Sequence, residues 1–454
     1  MTWDPDETSR ITASFLGADD YVDYERDQAW EDGNDNYGVT ENFSFTAGMG
    51  WKELWPKNGF SETVLSWNRI VYHGDYSHTL SGDVQALQNS TESKVSLHNG
   101  NTWLAGNRFA FRFGLDAVYS NDEYSNFYAA DTNYSGGAMP ELTVSGKRND
   151  FSGALFGQCS WSATERLTLN LGARVENSGT APRGSVSYSL TPVTSLSAAS
   201  GIYRQSLSGE LLARNKSFES LDTPESAHFV LGLKHLISPE TRVQVEVYLK
   251  QGNGFPFDPE QPGYFILDGV NGEQDLYAFQ DLQSGGETRA AGVELTLQKQ
   301  LVNGFYGLAA GSIYSSEYRN PGEPWRRRIY DSRWTGTLEG GYRFDSGWEV
   351  SCRWLSAGGR PYTPLDLVAS QEMNRTVLDS TRINGETYPF YSSLNLRVDR
   401  RFNFSGSSLI CYLSVWNALN RRNVTATYWN RIENKEDYLY QWATMPVIGI
   451  EYEF

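Results

Sequence analysis

The chain has 454 residues, 38 Lys and Arg against 55 Asp and Glu for a formal charge of −17, and only three cysteines. An aromatic share of 14% argues against disorder, three cysteines cannot staple a chain this long, and a dispersed acidic surface repels nucleic-acid phosphates. Length alone suggests about three domains at the usual ~150 residues each.

Apolar residues alternate with polar ones along most of the chain. Phe43, Phe45, Ala47, Met49 and Trp51 open the series, followed by Phe109, Phe111, Phe113 and Leu115. Leu167, Leu169, Leu171, Ala173 and Val175 continue it, then Val243, Val245, Val247 and Leu249. Val293, Leu295 and Leu297 come next, then Trp348, Val350, Cys352 and Trp354, then Leu394, Leu396 and Val398. A period of two predicts strands with one apolar face. About eighteen strands are expected, each near the ~10 residues that a tilted membrane strand needs. No stretch keeps the helical period.

The connectors alternate in length. Short ones fall at 162–165, 191–194, 238–241, 302–304 and 345–347, rich in Pro, Asn, Asp, Ser and Gly. Long ones fall at 120–148, 205–224, 253–287, 359–386 and 421–441, with one short exception near 178–181. Short turns at one end and long loops at the other are the pattern of an antiparallel transmembrane β-barrel. The absence of any ~18-residue apolar run then excludes only a spanning helix. A barrel of this kind is one domain over 1–454, whatever its length. Tyr and Trp at strand ends (Trp161, Tyr306, Tyr342, Trp348, Tyr391) fit interfacial girdles.

Several C-terminal stretches resemble the barrel of a TonB-dependent outer-membrane receptor. They are AAGVELTLQK at 290–299, GYRF at 341–344, AGGRPYTP at 357–364, LNLRVDRRF at 394–402 and VWNALN at 415–420. The last strand, with Ile448, Ile450, Tyr452 and Phe454 on one face, resembles the signal read by the barrel-assembly machinery. The resemblance implies a bacterial outer-membrane location and a barrel of 22 strands around a plug. It implies uptake of a scarce small molecule (siderophore, cobalamin or glycan class), driven by a TonB-type energy coupler of the inner membrane. Outer-membrane lipid and lipopolysaccharide would surround it. Neither plug, coupling motif nor signal peptide is recognisable ahead of the first strand at about Ser9, so an N-terminally incomplete barrel is expected. A passive porin-like channel and a soluble secreted all-β binding protein are the alternatives.

The loops hold the candidate ligand contacts: Phe127, Tyr128, Phe255, Phe257, Tyr264, Phe265, Tyr428 and Trp429. Such aromatics form ligand platforms or pack loop against loop. Trp325, Arg326, Arg327 and Arg328 offer an anion site or a solvated basic turn. Arg333, Glu339, Arg353, Arg397 and Asp399 are expected on the lumen wall. The first long loop carries Asp19, Asp20, Asp23, Glu25, Asp27, Glu31, Asp32 and Asp35, a weak calcium candidate without the spacing of a calcium-binding loop. The five histidines (His73, His78, His98, His228, His235) keep no metal spacing, and 206–209 is no nucleophile elbow. Neither a cofactor nor an enzymatic activity is expected.

Overall fold

The computed structural model describes the whole chain apart from residues 33, 35, 134–135, 270–278, 280 and 454. Eighteen long strands among the described residues form one antiparallel meander. The first six are β1 (Ser9–Tyr24), β2 (Asn36–Trp55), β3 (Gly59–His78), β4 (Val84–Ala105), β5 (Phe109–Tyr128) and β6 (Leu142–Ser162). Next come β7 (Leu167–Glu176), β8 (Gly179–Thr191), β9 (Thr194–Arg204), β10 (Glu225–Ser238), β11 (Thr241–Phe257) and β12 (Gln283–Val302). The last six are β13 (Phe305–Arg319), β14 (Trp334–Arg343), β15 (Trp348–Ala357), β16 (Tyr391–Phe404), β17 (Ser407–Trp416) and β18 (Met445–Glu453). Two-residue strands at Thr2–Trp3 and Arg326–Arg327 join the same sheet.

Register follows the alternation. Leu233, Val245 and Leu295 form one rung across β10, β11 and β12, all on the outer face. The outer face is exposed along the sheet, from Leu97 and Phe113 to Val247, Trp354 and Leu413. It is the apolar belt expected from the sequence, and no helix among the described residues is long and apolar enough to cross a membrane. The architecture is an antiparallel transmembrane β-barrel.

The short connectors all lie at one end. Between β12 and β13, Asn303 and Gly304 both take positive φ (53° and 80°). That is the two-residue turn whose twist matches a hairpin. At the other end the connectors are mostly long; the exceptions are 79–83, between β3 and β4, and 177–178, where β7 turns directly into β8.

Strand boundaries correct two expectations. β2 to β6 run 20 to 22 residues, twice the expected length. The acidic segment is also no loop over most of its length. Asp19, Asp20 and Asp23 lie in β1, and Asp27 lies in a short helix α1 (Arg26–Glu31). Neighbouring strand residues point to opposite faces, so the carboxylates are dispersed. No group of three potential ligands gathers among the described residues. Asp35 lies outside them.

Candidate functional site

The inner wall is polar because every second residue faces away from the belt. Glu339 on β14 stands opposite Arg353 on β15, at 3.6 Å. Arg397 pairs along β16 with Asp399 at 2.6 Å, and its guanidinium lies 3.9 Å from the centre of the Tyr412 ring. Tyr412 in turn lies flat on Gly449 of β18, where an added Cβ would come within 2.2 Å of the ring. Only a glycine permits that approach. These four predicted wall residues therefore share one face. Arg333 does not join them. It sits in the connector before β14 with φ of 66°, 3.4 Å from Asp331.

The wall also holds charged groups that the alternation placed but did not single out. Glu349 accepts from Tyr306 Oη at 2.6 Å and from Arg343 Nε at 2.8 Å. Arg401 pairs with Glu453 of the last strand at 2.7 Å. On the other side of the barrel, Asp116 takes both His98 and Arg174, and Arg174 also reaches Glu176 at 3.2 Å. Single Arg or Asp residues in a strand read as ordinary lumenal polar positions. Arg174 and Glu176 meet along one strand, and cross-strand register brings the others together.

At the long-loop end, five connectors from around the barrel meet in one apolar core. Met139 comes from 129–141, and Leu211 and Phe218 come from 205–224. Tyr264, Ile266, Phe279 and Leu282 come from 258–282, Leu365 and Leu378 from 358–390, and Trp429 from 417–444. Polar ties reinforce it. Arg375 donates to Asp131 at 2.7 Å, and Arg431 donates to the carbonyl of Asn34, linking the last loop to the first. Loops can meet this way only if the sheet curls to bring their roots round one mouth.

Two of the eight predicted aromatic contacts are part of this core, and others pack nearby. Tyr264 and Trp429 are buried in the core, and Phe265 is buried between Phe255 and Tyr318. Phe257 is buried as well. Phe127 and Tyr128 belong to β5 rather than to a loop, and Tyr128 packs with Tyr124 and Val144 in a second, smaller core. Tyr428 is half-buried. Loop-on-loop packing is thus the observed role of Tyr264 and Trp429.

The three arginines are all committed to carboxylates. Arg326 pairs with Glu323 at 2.5 Å, Arg327 with buried Asp331 at 2.9 Å, and Arg328 with buried Asp268. Trp325 is held between the guanidiniums of Arg289 and Arg319, at 4.2 and 4.9 Å. The charges of the turn are neutralised by two local partners, Glu323 and Asp331, and by one remote in sequence, Asp268. Ile450 and Tyr452 are exposed on the outer face of β18, and Phe454 lies outside the described residues.

An apolar belt, a charged inner wall and a mouth covered by packed loops define an outer-membrane β-barrel of the receptor class. The family model described as "TonB dependent receptor-like, beta-barrel" matches residues 1–425, and the chain belongs to that family, in the bacterial outer membrane. Among solved structures, the whole chain superposes on the ferripyoverdine receptor of Pseudomonas aeruginosa with a TM-score of 0.70 and 13% identity, covering 63% of that protein. It also superposes on the siderophore receptor PiuA of Acinetobacter baumannii (TM-score 0.66, 12% identity, 73% of that protein). A third match is the copper transporter OprC (TM-score 0.65, 13% identity, 68% of that protein). The chain thus spans less than two-thirds of the ferripyoverdine receptor. No curated protein matches it.

Proposed function

We propose that this chain is the barrel of an active-uptake receptor. Its extracellular loops capture a scarce small molecule. Its charged wall seats a plug, which a TonB-type coupler in the inner membrane rearranges so that the ligand passes. The loop core is the observation that supports this reading. A passive pore conducts through an open mouth, whereas here five connectors pack over the entrance, so passage requires work delivered from elsewhere. The half-exposed pair Glu339 and Arg353 supports the plug contact, because lumenal charges in water retain capacity for new partners.

The names of the similar structures, which speak of ferripyoverdine, a siderophore and copper, support a metal or a metal chelate as cargo. On this reading the chain is a carrier and not an enzyme. Outer-membrane lipid and lipopolysaccharide surround its belt, and the barrel-assembly machinery reads its last strand. Uptake of labelled ferric chelates by cells producing the whole receptor tests the proposal. Uptake is expected to stop when the coupler gene is deleted. Uptake that continues without the coupler would establish a passive channel instead.

A further inference from the structure

Aromatic rings set the position of the bilayer on β5 and β6. Phe109 to Tyr119 on β5, and Phe151 to Trp161 on β6, each cover the ~9–11 residues of a tilted membrane strand. Phe109 pairs with Trp161 toward the short-turn end, and Tyr119 pairs with Phe151 toward the long-loop end. The second rung continues through Val95 on β4 to Trp67 on β3. Trp67, Tyr119 and Phe151 are all exposed on the outer face. They mark the boundary of the outer leaflet.

The next rung outward is polar. Arg69, Ser93, Asn121 and Asn149 lie side by side across β3 to β6. The rings below are tied to it. Trp67 Nε1 donates to Ser93 Oγ at 2.9 Å, and Tyr119 Oη donates to Asn149 Oδ1 at 3.1 Å. Asn121 donates to the same oxygen at 2.5 Å. That fills the Asn149 oxygen and leaves its amide N–H groups as donors. One rung further out, Lys147 meets Glu123 at 3.1 Å, with both side chains more than half exposed. An ion pair in that setting is weak and exchanges readily.

Arg69 sets this patch apart. On the outer face at the same end, Arg204 pairs with Glu225, Arg289 with Glu317 at 2.7 Å and Arg319 with Glu287 at 2.6 Å. Arg69 is exposed and meets no carboxylate among the described residues. Acidic side chains do share its face: Asp19 on β1, Glu41 on β2 and Asp75 farther along β3. None of them pairs with Arg69, and they bound the patch toward β1 and the hairpin tip. A free guanidinium at a lipid boundary suits a phosphate, whose oxygens its planar fork matches. Arg69 and Lys147 stand three strands apart, ~14 Å at the usual strand spacing. That is the reach of a disaccharide with a phosphate at each end, and the amides and hydroxyls between suit its hydroxyl groups.

A belt in lipid needs no particular headgroup, whereas this arrangement selects one. We propose that the outer face of β3 to β6 holds, at one site, the bisphosphorylated saccharide headgroup of an outer-leaflet glycolipid, with Arg69 on one phosphate and Lys147 on the other. The site rests on the membrane boundary alone and is independent of the uptake reading. The test titrates the purified full chain in detergent with diphosphoryl lipid A, monophosphoryl lipid A, phosphatidylglycerol and inorganic phosphate, read by native mass spectrometry. One diphosphoryl lipid A should bind at least about tenfold more tightly than phosphatidylglycerol. Arg69→Gln should weaken that binding about tenfold, the scale of one charged hydrogen bond, and Arg69→Lys should retain part of it. Lys147→Gln should erase the preference for the diphosphoryl over the monophosphoryl form. Asn149→Ala should cost a few-fold, and Arg289→Gln should change nothing. Heat-modifiable gel migration, unchanged in each variant, establishes that the barrel is intact. Equal binding of phosphatidylglycerol, or binding untouched by Arg69→Gln, overturns the site. Displacement of the lipid by equimolar inorganic phosphate would show that phosphate alone is recognised, and overturns the glycolipid assignment.

Discussion

The two halves of the barrel build the same end of the molecule in different ways. β2 to β6 run 20 to 22 residues, while β14, β15 and β17 have 10 and β18 has 9. A tilted strand crosses the bilayer in ~9–11 residues. β2 to β6 therefore project beyond the membrane as continuing sheet, closed by connectors as short as 79–83. β14, β15, β17 and β18 stop near the membrane, and the chain between them is spent on loops. Within 358–390 lies the helix α3 (Leu367–Met373), whose Asp366 cap accepts from the N–H groups of Val368 and Ala369. Within 417–444 lies a hairpin of Val424–Asn430 and Lys435–Tyr440. Sheet extension satisfies its backbone in the ladder and makes do with the small cluster of Tyr124, Tyr128 and Val144. Folded loops need an apolar core of their own, and that core covers the mouth.

Breaking the core should separate the halves most clearly. Phe218→Ala removes a fully buried ring and should cost the loop layer ~3–5 kcal/mol. Limited proteolysis of intact cells should then cut 205–224 and 258–282 while the β2–β5 hairpins remain resistant. Equal cutting in both halves would refute a loop core independent of the projecting sheet. Arg328→Ala leaves the Asp268 carboxylate buried without its cation and should cost about 3 kcal/mol locally. Cleavage within 258–282 should rise without any change in heat-modifiable migration, and Arg328→Lys should recover part of the loss.

A smaller effect joins the two halves. Helix α2 (Gly209–Arg214) rests on the projecting part of β5 and β6. Burial pushes the Glu210 carboxyl above its usual range, the Arg214 charge opposes that shift, and Glu92 adds to it. Asp122, buried beside them, and Tyr124, which donates to Glu92 at 3.0 Å, complete this contact, with Lys94 and Arg148 at its edge. An acid whose folded value is raised contributes most in its protonated form. Docking of α2 should be strongest below the ordinary value of 4.5 and should weaken as pH rises through the folded value. Hydrogen exchange of 209–214 measured across that window checks the sign, and Glu210→Gln should reduce the dependence, leaving the part that Asp122, also pushed up by burial, contributes. The smallest effect is expected on the wall. Glu339 and Arg353 stand in lumenal water, so Glu339→Gln should shift barrel melting by no more than about 0.5 kcal/mol equivalent.

Much of the barrel was legible in the residue order. The eighteen strands, the alternating connector lengths and the short exception at 177–178 follow from period two and turn chemistry, which are local properties. The lumenal facing of Glu339, Arg353, Arg397 and Asp399 follows from the same parity. Strand ends were read less well. The alternation in β2 to β6 continues past the membrane, with polar residues such as Asp122 and Asn126 on faces that the loops cover, so residues 120–128 looked like the start of a loop. The acidic stretch of β1 failed likewise, since clustering in sequence is dispersal across two faces in a strand.

The candidate site was less legible. An aromatic residue in a loop has the same identity whether it is buried or open. Trp429 and Tyr264 became core because connectors from opposite sides of the barrel converge on them. Trp442, at the root of the same loop, stayed open where Asn417 holds its backbone carbonyl. Arg328 and Trp325 read as free because their partners, Asp268 and Arg289, lie tens of residues away, whereas Glu323 and Asp331 stand within four residues of Arg326 and Arg327 and pair only once the turn is folded. The sequence by itself determined the strand faces, the turns and hence the barrel, since each depends on neighbours one or two residues apart. Only the tertiary structure decided which loop side chains close the mouth and which remain available to a ligand, because that choice depends on long-range packing and charge pairing that no local pattern encodes.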